Sequence, residues 1–164
     1  MELRKVKTKK QIEETARLAN EIWHEHYISI ISEEQIDYMV GKFQSVEVIT
    51  EQIKKQHYEY YNFIDNGKSV GYFGFVEQEG GVMFLSKIYL LKSERGKGFS
   101  RQAFEFMKEE AKSRGLSKIW LTVNRGNKHS IEIYKKLGMY IERTQIADIG
   151  DDFVMDDFVF VYDV

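Results

Sequence analysis

The chain of 164 residues contains no cysteine and no proline, and no apolar run approaches the length of about eighteen residues that a membrane-spanning helix needs. The lack of cysteine excludes a disulfide framework and a thiolate nucleophile. A net charge of −2 gives no reason to expect a nucleic-acid or anionic-membrane partner. No signal-like apolar segment follows Met1. We therefore expect a cytoplasmic protein with no nucleic-acid partner and no membrane association.

The composition is that of a folded globular chain. Apolar residues make up 43% and aromatic residues 14% of the sequence, which argues against disorder. A chain of this length can bury a core within one domain. The sequence thus predicts a single domain over residues 1–164.

Periodicity and turn residues predict the order β-α-α-β-β-β-α-β-α-β-β. Capping boxes at Thr8-x-x-Gln11 and Ser32-x-x-Gln35 begin the first two helices, and apolar residues at 46–53 add a further helical turn or two. The order belongs to a mixed α/β (α+β) fold whose sheet has about seven mostly antiparallel strands. The strands are predicted at 2–7, 58–64, 69–77, 82–91, 118–123, 139–149 and 153–162, and the later helices at 99–114 and 128–137.

A glycine-rich turn lies between the strand that ends at Leu91 and the next helix. Such a loop presents free backbone N–H groups at a helix N-terminus, where phosphate is held. The segment lacks the Gly-x-x-x-x-Gly-Lys-Ser/Thr pattern of a P-loop. A dinucleotide-binding turn would need a third glycine where Arg101 stands, so Gly96 and Gly98 match it weakly. A nucleotide-binding domain of another class and a plain strand–turn–helix remain alternatives.

The pattern Arg95-x-x-Gly98-x-Ser100 resembles the pyrophosphate motif of the GNAT superfamily of acetyl-CoA-dependent N-acetyltransferases. Ser100 stands where that motif has Gly or Ala. A second pattern follows a strand-like segment, in the family's order and at the family's distance from the first. It runs Asn127-x-x-Ser130-x-x-x-Tyr134-x-x-x-Gly138-Met139. The element order also agrees with the GNAT fold, in which the two central parallel strands splay apart.

The resemblance implies acetyl-CoA as the acetyl donor. Pantetheine would occupy the gap between the splayed strands, bonded to the main chain, and the pyrophosphate would lie on the glycine loop with charge from Arg95 and Lys97. Asn127 is either a helix N-cap or a ligand of the pantetheine arm, or both. The expected cofactor-binding residues are Ile88, Tyr89, Leu90, Arg95, Gly96, Lys97, Gly98, Phe99, Ser100, Asn127 and Tyr134.

Tyr134 occupies the position of the family's general acid. A phenol keeps its proton at neutral pH and can pass it to the departing thiolate. The other interpretation is a core tyrosine on the apolar face of a short helix. The general base stays open, because Ser86 and Lys87 stand where some family members carry a strand glutamate. Bulk solvent is one candidate, and the side chains considered are His24, Glu25, His26 and Glu33.

The acceptor is expected to be a small-molecule amine. Acidic residues crowd the last seventeen positions, without Lys or Arg, and a cationic amine such as a polyamine is electrostatically reasonable. The segment 148–157 also resembles the C-terminal end of bacterial spermidine/spermine-type acetyltransferases. Candidate substrate-binding residues are Glu25, Glu33 and Asp156, although a solvated acidic hairpin tip explains the same pattern.

Further expectations concern alternative functions, assembly and metal binding. A non-catalytic acyl-CoA sensor and an enzyme acting on peptide or protein amines remain alternatives. Homodimers are frequent in the family that the chain resembles. His24 and His26 are two positions apart on a predicted helix, so their side chains point in different directions and make a poor metal-ligand pair. We therefore expect no metal.

Overall fold

The computed structural model describes residues 2–164 and contains one seven-stranded sheet in the order β1-β2-β3-β4-β5-β7-β6. No helix in this part of the chain is both long and apolar enough to cross a bilayer. The strands are β1 (Glu2–Lys5), β2 (Glu59–Asp65), β3 (Lys68–Gln78), β4 (Val82–Leu90), β5 (Lys118–Asn124), β6 (Tyr140–Gly150) and β7 (Phe153–Asp163). The helices are α1 (Lys9–Tyr27), α2 (Glu33–Phe43), α3 (Val46–Lys55), α4 (Phe99–Ser113) and α5 (Lys128–Lys136).

The predicted fold class is confirmed, and the observed element order differs from the predicted one by one helix. Residues 46–55 form a complete helix, α3, because the Ser45 side chain caps the backbone N–H of Val48. The pairs β1–β2, β2–β3, β3–β4, β5–β7 and β6–β7 are antiparallel, whereas β4 and β5 are parallel. Helix α4 makes the crossover that a parallel pair requires.

Local sequence signals set the helix boundaries. The Thr8 hydroxyl accepts from the Gln11 backbone N–H, and the Gln11 side chain accepts from the Thr8 N–H, so the first predicted capping box is confirmed. At the second, the Ser32 hydroxyl caps the Gln35 N–H without the reciprocal bond. Gly115 and Gly138 follow the last residues of α4 and α5 and have φ values of +70° and +95°. Glycine adopts this left-handed conformation without steric cost. Capping and glycine placement therefore fix where the helices beside the site begin and end.

The sheet has one apolar cluster on each face. Helices α4 and α5 cover one face, where Phe73 and Phe104 belong to a continuous buried cluster. Helices α1, α2 and α3 cover the other face, where Trp23 and Tyr72 are buried. Consecutive residues such as Tyr72 and Phe73 point to opposite faces, as strand alternation requires. The sheet therefore lies between two helical layers, and β4 and β5 run through its middle.

Strands β4 and β5 pair over only three residues and then diverge. The paired positions are 82–84 on β4 and 118–120 on β5. On its other side, β4 has a β-bulge at Ser86, because Leu85 pairs with Phe75 and Lys87 pairs with Gly74. From the bulge onward, β4 remains paired with β3 alone, and a gap opens on the side of β5.

Candidate active site

The main chain of β4 presents unpaired groups to this gap. The Leu91 N–H donates to the Val70 carbonyl at 3.0 Å, so Leu91 is directed toward β3. In an antiparallel pair, residues alternate between pointing at the partner strand and pointing away from it. The N–H and C=O groups of Ile88 and Leu90 consequently face β5, which has already diverged. They are free to bind an extended ligand in the manner of an added strand.

The absence of a side chain at Gly71 lets β3 approach β4 closely beside the gap. A Cβ built on Gly71 would lie 2.5 Å from the Tyr89 carbonyl oxygen and 2.7 Å from Cδ2 of Leu90. Both contacts are shorter than van der Waals distance, and one of them involves backbone. A glycine at this position therefore holds the part of β4 that lines the gap in place.

The glycine loop ends at the N-terminus of α4. Gly96 and Gly98 have φ values of +79° and +89°, and Gly98 is the N-cap of the helix. Phe99 is 1% exposed and anchors the first helical turn in the core. Lys97 lies at the surface and pairs with Glu94 at 2.7 Å. The loop thus presents backbone N–H groups at the positive end of a helix, an arrangement that binds phosphate.

His26 of α1 connects the glycine loop to the N-terminus of α5. Nη2 of Arg95 lies 2.5 Å from Nδ1 of His26, and Nδ2 of Asn127 lies 2.6 Å from Nε2 of the same ring. Burial, followed by the charge of Arg95, lowers the pKa of His26 to about 4. The ring is therefore neutral at physiological pH. Asn127 also caps α5, because its Oδ1 accepts from the Ser130 N–H.

Tyr134 lies on the buried side of α5 and lines the gap. Its side chain is 7% exposed, and its ring centroid is 5.8 Å from that of Phe160. Burial, followed by the neighbouring Tyr27, raises the pKa of Tyr134, so that the phenol keeps its proton. The two sequence interpretations of this residue describe the same placement, since it packs in the core and also borders a cavity.

Three cavities follow one another across the gap. All three volumes include open solvent. The central cavity has about 310 Å³ and is bordered by both strands and by Tyr134. A second, of about 330 Å³, extends toward Arg95 and Ser100. A third, of about 1030 Å³, extends on the other side toward α2, α3 and β7. Tyr89 lines all three. The three cavities therefore form a row from the glycine loop, past Tyr134, to the large cleft, which we call the acceptor cleft.

Lys87 lies in the acceptor cleft with an unusual environment for a lysine. It is 5% exposed, and its Nζ donates to the Tyr60 hydroxyl at 2.5 Å and to Oε1 of Gln52 at 3.1 Å. The ring centroids of Tyr58 and Tyr60 are 5.3 and 4.7 Å from Nζ. Burial lowers the pKa of Lys87 to about 7.

Asp157 of β7 is the buried carboxylate of the acceptor cleft. It is 6% exposed, and its Oδ1 has no hydrogen-bond partner within residues 2–164. Burial, followed by the charge of Asp156, raises the pKa of Asp157 to about 6. A carboxylate with this pKa is mostly ionised at neutral pH and can accept a proton.

The three predicted substrate-binding residues lie outside the lining of the acceptor cleft. Glu25 accepts a hydrogen bond from the Lys92 N–H, and Glu33 is exposed in the first turn of α2. Asp156 pairs with Arg125 at 3.1 Å. The sequence analysis named Asp156 and not Asp157, although strand alternation distinguishes the two: Asp157 lines the cleft and Asp156 does not. Asp157 is in phase with the buried residues Val159 and Val161.

The two other candidates for the general base are His24, on the solvent side of α1, and His26, which lies between Arg95 and Asn127. His24 pairs with Asp37 at 2.5 Å. Nε2 and Nδ1 of His26 are both occupied by the contacts to Arg95 and Asn127. Across residues 2–164 no three histidine, aspartate or glutamate side chains cluster closely enough to hold a metal ion.

Comparison with known proteins identifies the class. A model of the acetyltransferase (GNAT) family matches residues 15–139, and the chain therefore belongs to this family. The chain is 30% identical over 94 residues to an uncharacterized N-acetyltransferase of Mycobacterium tuberculosis (strain ATCC 25618 / H37Rv), a match that covers 55% of this chain. It spans only 60% of the length of that relative. The family match ends before β7, so it contains no equivalent of Asp157.

Solved structures show the same fold over the whole chain. A PaiA N-acetyltransferase from Thermoplasma acidophilum in complex with coenzyme A has a TM-score of 0.79 at 18% identity and covers 100% of both chains. The ribosomal-protein-S18-alanine N-acetyltransferase from Escherichia coli has a TM-score of 0.72 at 14% identity, covering 99% of this chain and 93% of its own. At such identities the likeness concerns the fold.

Proposed function

We propose that this protein is an N-acetyltransferase that moves an acetyl group from acetyl-CoA directly to a primary amine in the acceptor cleft. One observation carries the proposal: a row of cavities through the split sheet leads from a phosphate-binding loop to the acceptor cleft, with Tyr134 between them. Direct transfer needs both substrates to meet within one water-excluding site. Family membership supports the same reaction class.

The residues present fit acetyl-CoA. The free main-chain groups of Ile88 and Leu90 match an extended pantetheine arm, which carries amide donors and acceptors. The N–H groups at 96–100 match a pyrophosphate, and Arg95 and Lys97 add positive charge. Asn127 stands at the gap with its side chain directed to His26. The coenzyme A held by the Thermoplasma acidophilum structure is consistent with this assignment.

Three groups of this chain each perform one part of the transfer reaction. Acetyl-CoA supplies an activated acyl group, so that a C–N bond forms as the C–S bond breaks. The Leu90 N–H faces the gap and can stabilise negative charge on the acyl oxygen. Asp157 accepts the proton that the amine loses, and Tyr134 donates a proton to the departing thiolate. The high pKa of Tyr134 requires that the thiolate be poorly solvated where the proton is transferred.

The test is thiol release from acetyl-CoA with a panel of polyamines, amino acids, aminoglycosides and short peptides, after calorimetry has established that coenzyme A binds. Turnover with one amine class supports the proposal. Binding of coenzyme A without turnover would favour the acyl-CoA sensor. Absence of coenzyme A binding, with ATP or NAD bound instead, would refute the proposal.

The charged residues of the acceptor cleft affect the prediction that the acceptor is a polyamine. Its buried carboxylate, Asp157, suits an ammonium group, but Lys87 repels a polycation. A small amine with one positive charge therefore fits better than a polyamine, and the amine of a peptide end fits as well. A single domain, a cytoplasmic location and a homodimer stay predictions.

A further inference from the structure

Lys87 is a buried amine without a counter-ion. Its hydrogen-bond partners, Tyr60 and Gln52, are neutral, and within the described chain no carboxylate forms an ion pair with it. A buried ammonium is costly unless it is paired with an anion. The cleft therefore has a position at which an anionic group of a ligand would be stabilised.

The groups around Lys87 are polar and neutral on every element that faces it. Helix α3 contributes Gln52, β2 contributes the phenol of Tyr60, and the residue before β2 contributes the phenol of Tyr58. Gln44, at the end of α2, is 1% exposed and lines the same cleft, and its Oε1 has no hydrogen-bond partner within residues 2–164. Amide and hydroxyl groups can rotate to donate to an anion, so this surrounding can accommodate one.

Asp157 provides the opposite charge at a separate place in the cleft. It also lacks an ion pair within residues 2–164, and it does not pair with Lys87 even though both line one cavity. Two buried charges that neutralise neither each other nor a third group are each stabilised by a ligand of complementary charge. A ligand that carries an ammonium and an anionic group would satisfy both.

Much of the rest of the wall is apolar, although Ser86, Thr122 and Asn124 also line it, and this composition limits the body of the ligand. The apolar members of the wall include Trp23, Met39, Phe43, Phe84, Ile149 and Met155. Clefts of this composition bind amphipathic molecules, because a few polar groups orient an apolar body. Asp157 is the single carboxylate of this lining, so an extended chain of repeated ammonium groups would find one anionic partner there.

We propose that the acceptor is a small amphipathic amine that also carries an anionic group, such as an apolar amino acid or a short apolar peptide, with Lys87 binding the anion. This inference rests on the proposed function, since it names the substrate class of that site. In the bound acceptor, the amine lies on the side of Asp157 and the anion on the side of Lys87. The apolar side chain contacts the aromatic wall.

The first experiment compares acceptors that differ only in the anion. L-phenylalanine and L-phenylalanyl-glycine are assayed beside their C-terminal amides and beside spermidine, in the wild type and in Lys87→Met. Methionine keeps the length and apolar stem of lysine and removes the charge. The ratio of kcat/KM between each acid and its amide is compared across the two proteins, which cancels the different basicity of the two amines.

We expect the acid-to-amide ratio of kcat/KM to fall by more than about tenfold in Lys87→Met, as loss of one partner of a buried charge pair predicts. Lys54→Met is the matched control, because Lys54 is exposed on α3, the helix that carries Gln52. Its ratio should equal that of the wild type. An unchanged ratio in Lys87→Met, or spermidine as the preferred acceptor, would overturn the inference.

A binding measurement separates this inference from the proposed function. N-acetyl-L-phenylalanine and its amide are titrated by calorimetry into protein saturated with coenzyme A. The acid should bind more tightly than the amide to the wild type, and equally tightly to Lys87→Met. Equal binding to the wild type would refute the anion site even if amines are acetylated. Mass spectrometry after incubation with acetyl-CoA tests whether Lys87 is itself acetylated. Acetylated Lys87 would show that the lysine is an acceptor, which would contradict its role in binding the anion.

Discussion

The guanidinium of Arg95 donates a hydrogen bond to Nδ1 of His26 at 2.5 Å, which ties the glycine loop to the first helix. An arginine can only donate, and a pyrophosphate offers it charged acceptors. The neutral ring of His26 thus orients Arg95 beside the loop without neutralising its charge. The contact connects a residue that the sequence motif identifies to one that no motif indicated.

Arg95→Ala should weaken coenzyme A binding by about 1.5–3 kcal/mol, the usual size of a hydrogen bond to a charged group. Calorimetry with coenzyme A measures the loss. Pantetheine, which lacks the pyrophosphate, should bind equally to the variant and the wild type. Arg143→Ala is the control, because Arg143 is exposed on β6. An equal loss of affinity for pantetheine would show that the variant disturbs the gap itself.

Tyr134→Phe should lower kcat by about a hundredfold, at the lower end of the effect of a general acid. The affinity for acetyl-CoA should stay the same, because the ring remains packed beside Phe160. Steady-state kinetics across pH and calorimetry give the two values. Tyr140→Phe is the control, since this exposed tyrosine bonds only to Asp163 at the sheet edge. Equal kcat in variant and wild type at every pH would remove Tyr134 from the chemistry.

Asp157→Asn should abolish the part of the pH profile that depends on a group of pKa about 6. In the wild type, kcat/KM should rise as the pH increases through this value, because only the carboxylate can accept a proton. The midpoint should not move when the acceptor is replaced by an amine of different basicity. A midpoint that follows the acceptor would assign the profile to the substrate.

The stability of the same variant provides an independent check. The pKa of Asp157 is raised from its usual 3.8 to about 6, so the folded state favours the protonated carboxyl. Its stabilising contribution is complete below pH 4 and is lost as the pH rises toward 6. Thermal unfolding should show Asp157→Asn gaining stability relative to the wild type across this window. A constant difference would indicate that the carboxyl is well solvated.

The β-bulge at Ser86 explains why the acceptor cleft could not be derived from the sequence, although motifs and capping residues predicted most of the fold. Simple alternation puts Lys87 on the same face as Leu85, which packs toward α4 and α5. The extra residue inverts the phase, and Lys87 reaches Gln52 of α3 on the opposite face. Such a bulge depends on pairing with β3, which no local pattern specifies.

Lys87→Met should stabilise the protein, most strongly at and below neutral pH. Burial lowers the pKa of Lys87 from 10.5 to about 7, so the folded state disfavours the charged amine. In the wild type, the buried charge lowers the free energy of unfolding below pH 7. This loss of stability disappears as the pH rises toward 10.5. Chemical denaturation should therefore show a stability difference that is largest at pH 7 and below and becomes smaller by pH 10. Lys54→Met, at the surface, should show no such dependence.

Gly71→Ala should destabilise the protein and weaken coenzyme A binding. The added Cβ would lie 2.5 Å from the Tyr89 carbonyl oxygen, so β3 and β4 must separate, and the main chain that borders the gap must move with them. Overpacking of this kind costs about 1–3 kcal/mol. Gly41→Ala is the matched control, because Gly41 lies within α2 and a Cβ there meets nothing within 4 Å. Its stability should rise by about 0.5–1 kcal/mol, the usual helix preference of alanine over glycine. Denaturation and calorimetry measure both effects, and normal coenzyme A affinity in a destabilised Gly71→Ala would mean that the ligand does not depend on the position of β4.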